Sequence, residues 1–142
     1  MKRPVALQAL STTHHVALDL ALRISDAKDE PSIEALMASL PPTFADEIEP
    51  HMQQEERLLL PLLEASGETE LAQETRDRHD RLRALAAKIT AGDRSALQPF
   101  WIELHALVRF EERRLYDTAE QVLPDGVLAQ PLRNGENPHQ GA

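Results

Sequence analysis

The chain has 142 residues, no cysteine and a formal net charge of −9. Its length fits one domain with a substantial core. The lack of cysteine excludes disulfides, thiolate metal sites and cysteine nucleophiles, and it fits a cytoplasmic location. The N-terminus has no apolar run long enough for a signal peptide or a membrane span. Because 15 basic residues face 24 acidic ones without clustering, binding to nucleic acid or to a membrane is not expected.

Composition and periodicity predict an all-α protein, since alanine, leucine, glutamate and arginine are abundant and no strand alternation is found. The predicted helices are helix A (from 7 or 11 to 26), a short helix (33–39), helix B (from 42 or 43 to 65), helix C (70–90) and helix D (95–123). Pro41 and Pro42 are expected to end the short helix. Four main helices with short connections predict an antiparallel up-down-up-down four-helix bundle, with the short extra helix between helices A and B.

The last stretch of the chain is predicted to lie outside this bundle. Residues 126–142 are rich in proline, glycine and asparagine and have no apolar period, which is typical of a flexible tail. The domain is therefore expected to span residues 1–125.

The segment HMQQEERLLLPLL in helix B places a base and an acid in the middle of an apolar helical face. His51 and Glu55 are four residues apart, so their side chains point in the same direction. The same face carries Phe44, Ile48, Leu58 and Leu62. Because a lone buried carboxylate is costly, the acid is expected to have a charge partner or a metal ion.

Histidines recur in every main helix, and a second carboxylate, Glu111, lies in the apolar stripe of helix D. The histidines are His14 and His15 in helix A, His51 in helix B, His79 in helix C and His105 in helix D. Taken singly, such a histidine is more often a hydrogen-bonded core residue, and Glu111 an exposed acid or a partner of Arg109 or Arg113. Their recurrence helix by helix favours a metal site, because cysteine-free bundles hold iron or manganese with inward imidazoles and carboxylates.

The chain resembles the hemerythrin-like, HHE cation-binding domains over roughly residues 8–123. The resemblance rests on THHVALDLALRI in helix A, EIEPHMQQEERLLLPLLE in helix B, RHDRLRAL in helix C and LVRFEERRLYDTAE in helix D. It implies an antiparallel four-helix bundle around a diiron centre, with histidines as terminal ligands and two carboxylates as bridges. The matched terminal ligands in helices B and C are His51 and His79, and the matched bridge in helix B is Glu55.

The matches in helices A and D each leave a choice. In helix A either His14 or His15 could be the ligand, and periodicity prefers His14, which shares a line with apolar residues. In helix D, Glu111 matches the second bridge, and Glu112 does so less well.

Two departures from the family pattern predict that one metal position is short of ligands. Leu107 stands where such proteins usually have a histidine, and Thr75 stands where the oxygen-carrying members have another. His105 lies about 200° around the helix from Leu107 and is not an obvious substitute. Three alternatives follow: a diiron site completed by His105 or His15 through a local shift, a mononuclear site, or a bundle without metal.

The favoured function is a non-haem iron protein that binds or senses O2, NO or redox state, or that stores iron or handles peroxide. Iron is the expected metal, with manganese or zinc as substitutes in vitro. The alternative is a metal-free helical bundle that acts as an interaction or regulatory module. No pattern names a reaction, and Tyr116, near the predicted bundle end, is not expected to take part. The sequence leaves open whether Phe100 and Trp101 pack inside the domain or against a second copy in a homodimer.

Overall fold

The computed structural model describes residues 3–132, which form helices joined by short turns. The α-helices are α1 (Val5–Asp26), α2 (Glu30–Thr43), α3 (Glu49–Gln54), α4 (Leu60–Ala65), α5 (Thr69–Thr90), α6 (Leu97–Phe110), α7 (Tyr116–Val122) and α8 (Asp125–Leu128). Three π-helical turns, Phe44–Ile48, Glu55–Leu59 and Glu111–Leu115, join α2 to α3, α3 to α4 and α6 to α7, and a 3-10 turn, Arg94–Ala96, precedes α6. Since no strand occurs in residues 3–132, the prediction of an all-α protein is confirmed.

Ion pairs between helices show that neighbouring helices run antiparallel, because residues late in one helix pair with residues early in the next. Arg3, just before α1, pairs with Asp117 and Glu120 in α7, so α1 begins beside the end of α7. The other pairs are Glu64–Arg76 and Glu49–Arg83 between α3–α4 and α5, and Glu103–Arg81 and Arg114–Glu74 between α5 and the α6–α7 segment. This arrangement is the predicted up-down-up-down bundle.

The backbone stays helical from Glu30 to Ala65, so the expectation that Pro41 and Pro42 end the short helix was wrong. Proline lacks an N–H but its fixed φ is compatible with helical geometry. The ladder continues beyond the two prolines, because the Phe44 N–H donates to the carbonyl of Leu40. The predicted short helix is therefore the first part of one long helical segment.

The π-helical turn Glu55–Leu59 shifts the buried face of this segment by one residue. The Leu60 N–H donates to the carbonyl of Glu55, five residues earlier, so the turn contains one residue more than an α-helical turn. Pro61 follows directly and has no N–H with which to continue an α-helical ladder. Consequently Leu59 and Leu63 are fully buried, whereas the predicted positions Leu58 and Leu62 are only half-buried.

The apolar core lies along the bundle axis and includes residues whose environment the sequence left open. Phe100 is fully buried inside this chain and packs edge-on against Phe44, with ring centroids 6.0 Å apart. Trp101 is half-buried and packs against the same core. Within residues 3–132, every helix is too short or too polar to cross a bilayer.

The end of the bundle lies further along the chain than residue 125. Leu128, in α8, is 2% exposed and belongs to the core, so the attached part of the chain includes residues that were expected to be flexible. The helix α8 contacts α1. The remainder of the predicted tail, residues 133–142, lies outside the described residues.

Gly67→Ala is expected to destabilise the protein by about 1 kcal/mol in urea unfolding. Gly67 has a φ of +92° after the end of α4, where the Glu68 N–H donates to the Leu63 carbonyl at 2.8 Å. No atom would meet the new Cβ within 4 Å, so the cost comes from the backbone conformation alone. Gly126→Ala is the matched control, because its surroundings are equally open and its φ is not positive. Equal effects of the two substitutions would contradict this explanation.

Candidate metal centre

Five polar side chains meet in the interior, from the four long helical segments of the bundle: residues 5–26, 30–65, 69–90 and 94–122. His14 comes from α1, His51 from α3 and His79 from α5, while Glu55 and Glu111 are the first residues of two π-helical turns. His14 and His51 are 6% and 7% exposed, and the other three side chains are fully buried. The cluster therefore combines two carboxylates and three imidazoles in a space that excludes bulk water.

Four donor atoms converge on one side of this cluster, which we call the first position. Nε2 of His14 lies 2.7 Å from Oε1 of Glu111, and Nε2 of His51 lies 3.2 Å from the same oxygen. Nε2 of His51 also lies 3.2 Å from Oε2 of Glu55. The four residues offer ligand atoms that all lie within 4.8 Å of one another. The first position is thus defined by His14, His51, Oε2 of Glu55 and Oε1 of Glu111.

The remaining oxygen of each carboxylate faces His79 on the other side of the cluster, which we call the second position. Nε2 of His79 lies 3.0 Å from Oε2 of Glu111 and 3.2 Å from Oε1 of Glu55. Each carboxylate therefore presents one oxygen to each position. This is the arrangement that a bridging carboxylate needs if two cations lie side by side.

The cluster fits metal binding in both its chemistry and its spacing. Donor atoms about 2.1 Å from one ion and at right angles to each other are about 3 Å apart, which is close to the distances found here. Oε1 of Glu55 is buried and has no hydrogen-bond partner among the described residues, since its approach to His79 lacks hydrogen-bond geometry. No lysine or arginine in residues 3–132 forms an ion pair with Glu55 or Glu111. Imidazole with carboxylate is a donor set that suits iron, manganese and zinc.

The chain matches one protein family over most of its length. Residues 5–124 match the family described as the hemerythrin HHE cation binding domain. The chain belongs to this family. Comparisons with curated proteins and with solved structures gave no match.

In this hemerythrin-family bundle, Glu112 contacts the outer ring nitrogen of His14, on the side of the imidazole that faces away from the first position. Its Oε2 lies 2.8 Å from Nδ1 of His14 and accepts a hydrogen bond of 2.7 Å from the Ser11 hydroxyl. The guanidinium of Arg3 donates to the Glu112 backbone carbonyl. A carboxylate on the outer nitrogen fixes the orientation and tautomer of an imidazole. Glu112, predicted as a less certain ligand, therefore lies behind His14 rather than in the cluster.

Glu56 makes the equivalent contact with the outer ring nitrogen of His79, next to the second position. The sequence analysis did not predict this role. Its Oε2 lies 2.7 Å from Nδ1 of His79, and the carboxylate also accepts hydrogen bonds from Arg83. The signal that could have found it is a repeat: Glu-Glu-Arg occurs at 55–57 and again at 111–113. In both copies the first glutamate enters the cluster and the second holds the outer nitrogen of a histidine on another helix.

Tyr116 lies in the cluster, contrary to the expectation that its position near the bundle end would keep it away. It is fully buried, and its hydroxyl donates a hydrogen bond of 2.6 Å to Oε2 of Glu55. Burial and the nearby charges of Glu55 and Glu111 raise the pKa of the phenol well above its usual value. The expectation failed because the π-helical turn before Tyr116 rotates it inward.

Two further histidines that were less certain candidates are not brought into the cluster. His15 is exposed on α1, so the structure favours His14 of the two neighbours. His105 is half-buried and packs edge-on against Trp101, with ring centroids 6.5 Å apart. Neither histidine therefore contributes a donor atom to the cluster in this structure.

The two departures from the family pattern add no donor to the second position. Thr75 is fully buried, and its hydroxyl donates to the Leu71 carbonyl of its own helix at 2.8 Å. Leu107 is buried and apolar. The second position therefore has three protein donors and the first position has at least four.

The charges of the cluster stabilise one another. Burial lowers the pKa of His79, but the nearby carboxylates of Glu111, Glu55 and Glu56 outweigh it and raise that pKa to about 11. For His51, burial is likewise outweighed, by Glu55 and Glu111, and its pKa rises to about 10. Burial alone would raise the pKa of Glu111, yet its hydrogen bonds with the three histidines hold that pKa well below the usual value. Protonated imidazoles thus balance the buried carboxylates when no cation does so.

Glu56→Gln is expected to destabilise the metal-free protein by about 1–3 kcal/mol at neutral pH, because it removes a charged partner of His79 and Arg83. Burial opposes ionisation of Glu56, but hydrogen bonds with His79 and Arg83 prevail and lower its pKa from 4.5 to about 2. A lowered carboxyl pKa stabilises the fold above the unfolded value and loses that effect as the pH falls. The difference between wild type and variant should therefore shrink from pH 4.5 towards about 2.

The measurement is urea unfolding of both metal-free proteins over this pH range. Glu47→Gln is the matched control, since Glu47 is exposed and forms no ion pair within the described residues. A difference between wild type and Glu56→Gln that does not vary with pH would contradict the assignment.

Proposed function

We propose that this protein is a non-haem iron protein whose bundle binds two iron ions with unequal affinity, between the same two bridging carboxylates. The observation that carries the proposal is the orientation of Glu55 and Glu111, each of which presents one oxygen to each position. A hydrogen-bonded core pair requires no such arrangement, because one carboxylate oxygen suffices to accept from an imidazole.

Iron is the metal that suits these donors and the family best. Imidazole nitrogens and carboxylate oxygens bind ferrous and ferric iron, and two carboxylates offset much of the charge of two neighbouring cations. Manganese and zinc fit the same donors and are proposed as substitutes in vitro. When bound, iron supplies one-electron chemistry and affinity for small diatomic molecules.

The two positions should differ in affinity because they differ in protein donors. The first position has four donor atoms from His14, His51, Glu55 and Glu111, whereas the second has three from His79 and the two carboxylates. We infer that the first position fills at lower iron concentration and that the second fills later. At limiting iron the protein would thus carry a single ion.

Binding or sensing of O2, NO or redox state is the function that this asymmetry supports. A position with few protein donors leaves room for an external ligand, and Leu107 adds a buried apolar side chain to the interior. The carboxylates behind His14 and His79 hold their imidazoles in place while such a ligand enters or leaves. Iron storage and peroxide handling would use the same two positions.

The second candidate is a metal-free bundle that acts as an interaction or regulatory module. One observation favours it: the three histidines and the two carboxylates can satisfy one another by ion pairing. Oε1 of Glu55, which is buried and has no hydrogen-bond partner within residues 3–132, argues against a cluster built for hydrogen bonding alone.

Aerobically and anaerobically prepared protein is expected to bind up to two iron ions per chain, in two steps of unequal affinity. Iron, manganese and zinc are measured per chain by elemental analysis, during titration with ferrous iron under anaerobic conditions. Failure to bind any metal after ferrous reconstitution would refute the iron proposal and favour the interaction module.

His51→Ala is expected to abolish tight iron binding, because it removes an imidazole that contacts both carboxylates. His105→Ala is the matched control, since His105 packs against Trp101 outside the cluster. Both variants are compared with wild type by iron content and by circular dichroism. Equal losses of iron in the two variants would show that His105 takes part after all.

A further inference from the structure

Tyr116 faces the first position because of the backbone conformation just before it. The π-helical turn Glu111–Leu115 ends at this residue, and the Tyr116 N–H donates to the carbonyl of Glu111, five residues earlier. The turn places the tyrosine and the glutamate on the same side of the helix. Both side chains are fully buried.

The phenol oxygen lies among the donor atoms of the first position. It is 2.6 Å from Oε2 of Glu55, 3.4 Å from Nε2 of His14 and 3.5 Å from Oε1 of Glu111. These are three of the four atoms that define the position. A hydroxyl has one proton to donate, and the short hydrogen bond to Glu55 takes it; the phenol oxygen can accept from Nε2 of His14, but its approach to Oε1 of Glu111 has no separate proton.

Two packing contacts fix the phenol in this place. Its ring stacks on the His14 imidazole with centroids 5.6 Å apart and an angle of 8° between the planes. The Arg3 guanidinium lies over the ring, 5.7 Å from its centroid. The oxygen is therefore held against the cluster before any cation arrives, which reduces the entropy lost when it binds.

We propose that Tyr116 is a fifth protein donor to the first position and binds iron there through its phenolate oxygen. This inference rests on the proposed function, since it assigns a ligand to the same site. Ligands at right angles around one ion are about 3 Å apart, which the three measured approaches bracket. Tyrosinate is an established type of protein ligand to iron. Coordination replaces the O–H bond by an O–Fe bond, and the proton is released to solvent.

A tyrosinate ligand would sharpen the difference between the two positions. The first would then have two imidazole nitrogens and three anionic oxygens, and the second would keep its three donors. Anionic oxygens stabilise ferric more than ferrous iron, because they offset the larger charge. We expect the first iron to be held in the ferric state, while an external ligand enters at the His79 side.

The experiment loads wild type and Tyr116→Phe with ferrous iron under anaerobic conditions and then oxidises both with ferricyanide. Visible absorption, resonance Raman spectra and iron content are recorded for each. Wild type should show a tyrosinate-to-iron charge-transfer band with enhanced ring modes of tyrosine. Because Tyr116 is the only tyrosine in the chain, these modes can have no other protein source. The variant should lack the band and the modes.

The outcomes separate this inference from the proposed function. Iron-loaded wild type without tyrosinate modes, or a band that persists in Tyr116→Phe, would overturn the tyrosine ligand and leave the iron site intact. Wild type that binds no iron would overturn both. If the variant folds poorly or loses iron, the wild-type Raman spectrum alone still decides the question.

Discussion

One carboxylate, Glu111, is the constraint on which the packing of the bundle depends. It is fully buried, and its two oxygens contact histidines from three other helices: His14 in α1, His51 in α3 and His79 in α5. An unpartnered carboxylate in this place would cost several kcal/mol. All four long segments must therefore approach at one height, and the antiparallel arrangement with short connections makes that approach feasible.

The π-helical turns explain how two glutamates in sequence can serve one site. Glu55 and Glu111 each begin such a turn, and in each case the next residue supports a histidine of a different helix. Pro61 accounts for the missing α-helical hydrogen bond after the first turn. No proline follows Glu111 within α7, so local sequence does not force the second turn. Extra residues of this kind are frequent at functional sites, and here two of the three π-helical turns begin at a carboxylate whose two oxygens face opposite sides of the cluster.

Sequence periodicity was sufficient to predict the main helices and the side chains that point inward near the middle of each helix. His51 and Glu55 are one α-helical turn apart, so the rule of 3.6 residues per turn places them together. The same rule placed Leu58 and Leu62 inward, because it cannot anticipate a turn with an extra residue. Tyr116 was not expected in the cluster because it lies near the predicted end of the bundle, and the turn Glu111–Leu115 brings its hydroxyl there. The rule also gives no information about contacts between helices, which is why Glu56 behind His79 was missed. These contacts depend on which helices pack side by side. The spacing of residues within one helix does not show which helices do so.

The same side chains can balance the interior charge with or without a metal ion, and this separates folding from metal binding. In the absence of a cation, the raised pKa values of His51 and His79 keep positive charge beside the two carboxylates. A cation bound there would displace those protons, and the donors that would hold it are already in position. Proteins that have no core without their metal unfold when it is removed, whereas this bundle also has an apolar core that runs along its length. The core is therefore expected to stay folded when the metal site is empty, and the proposed sensing function requires this, because its metal occupancy would change with iron supply or redox state.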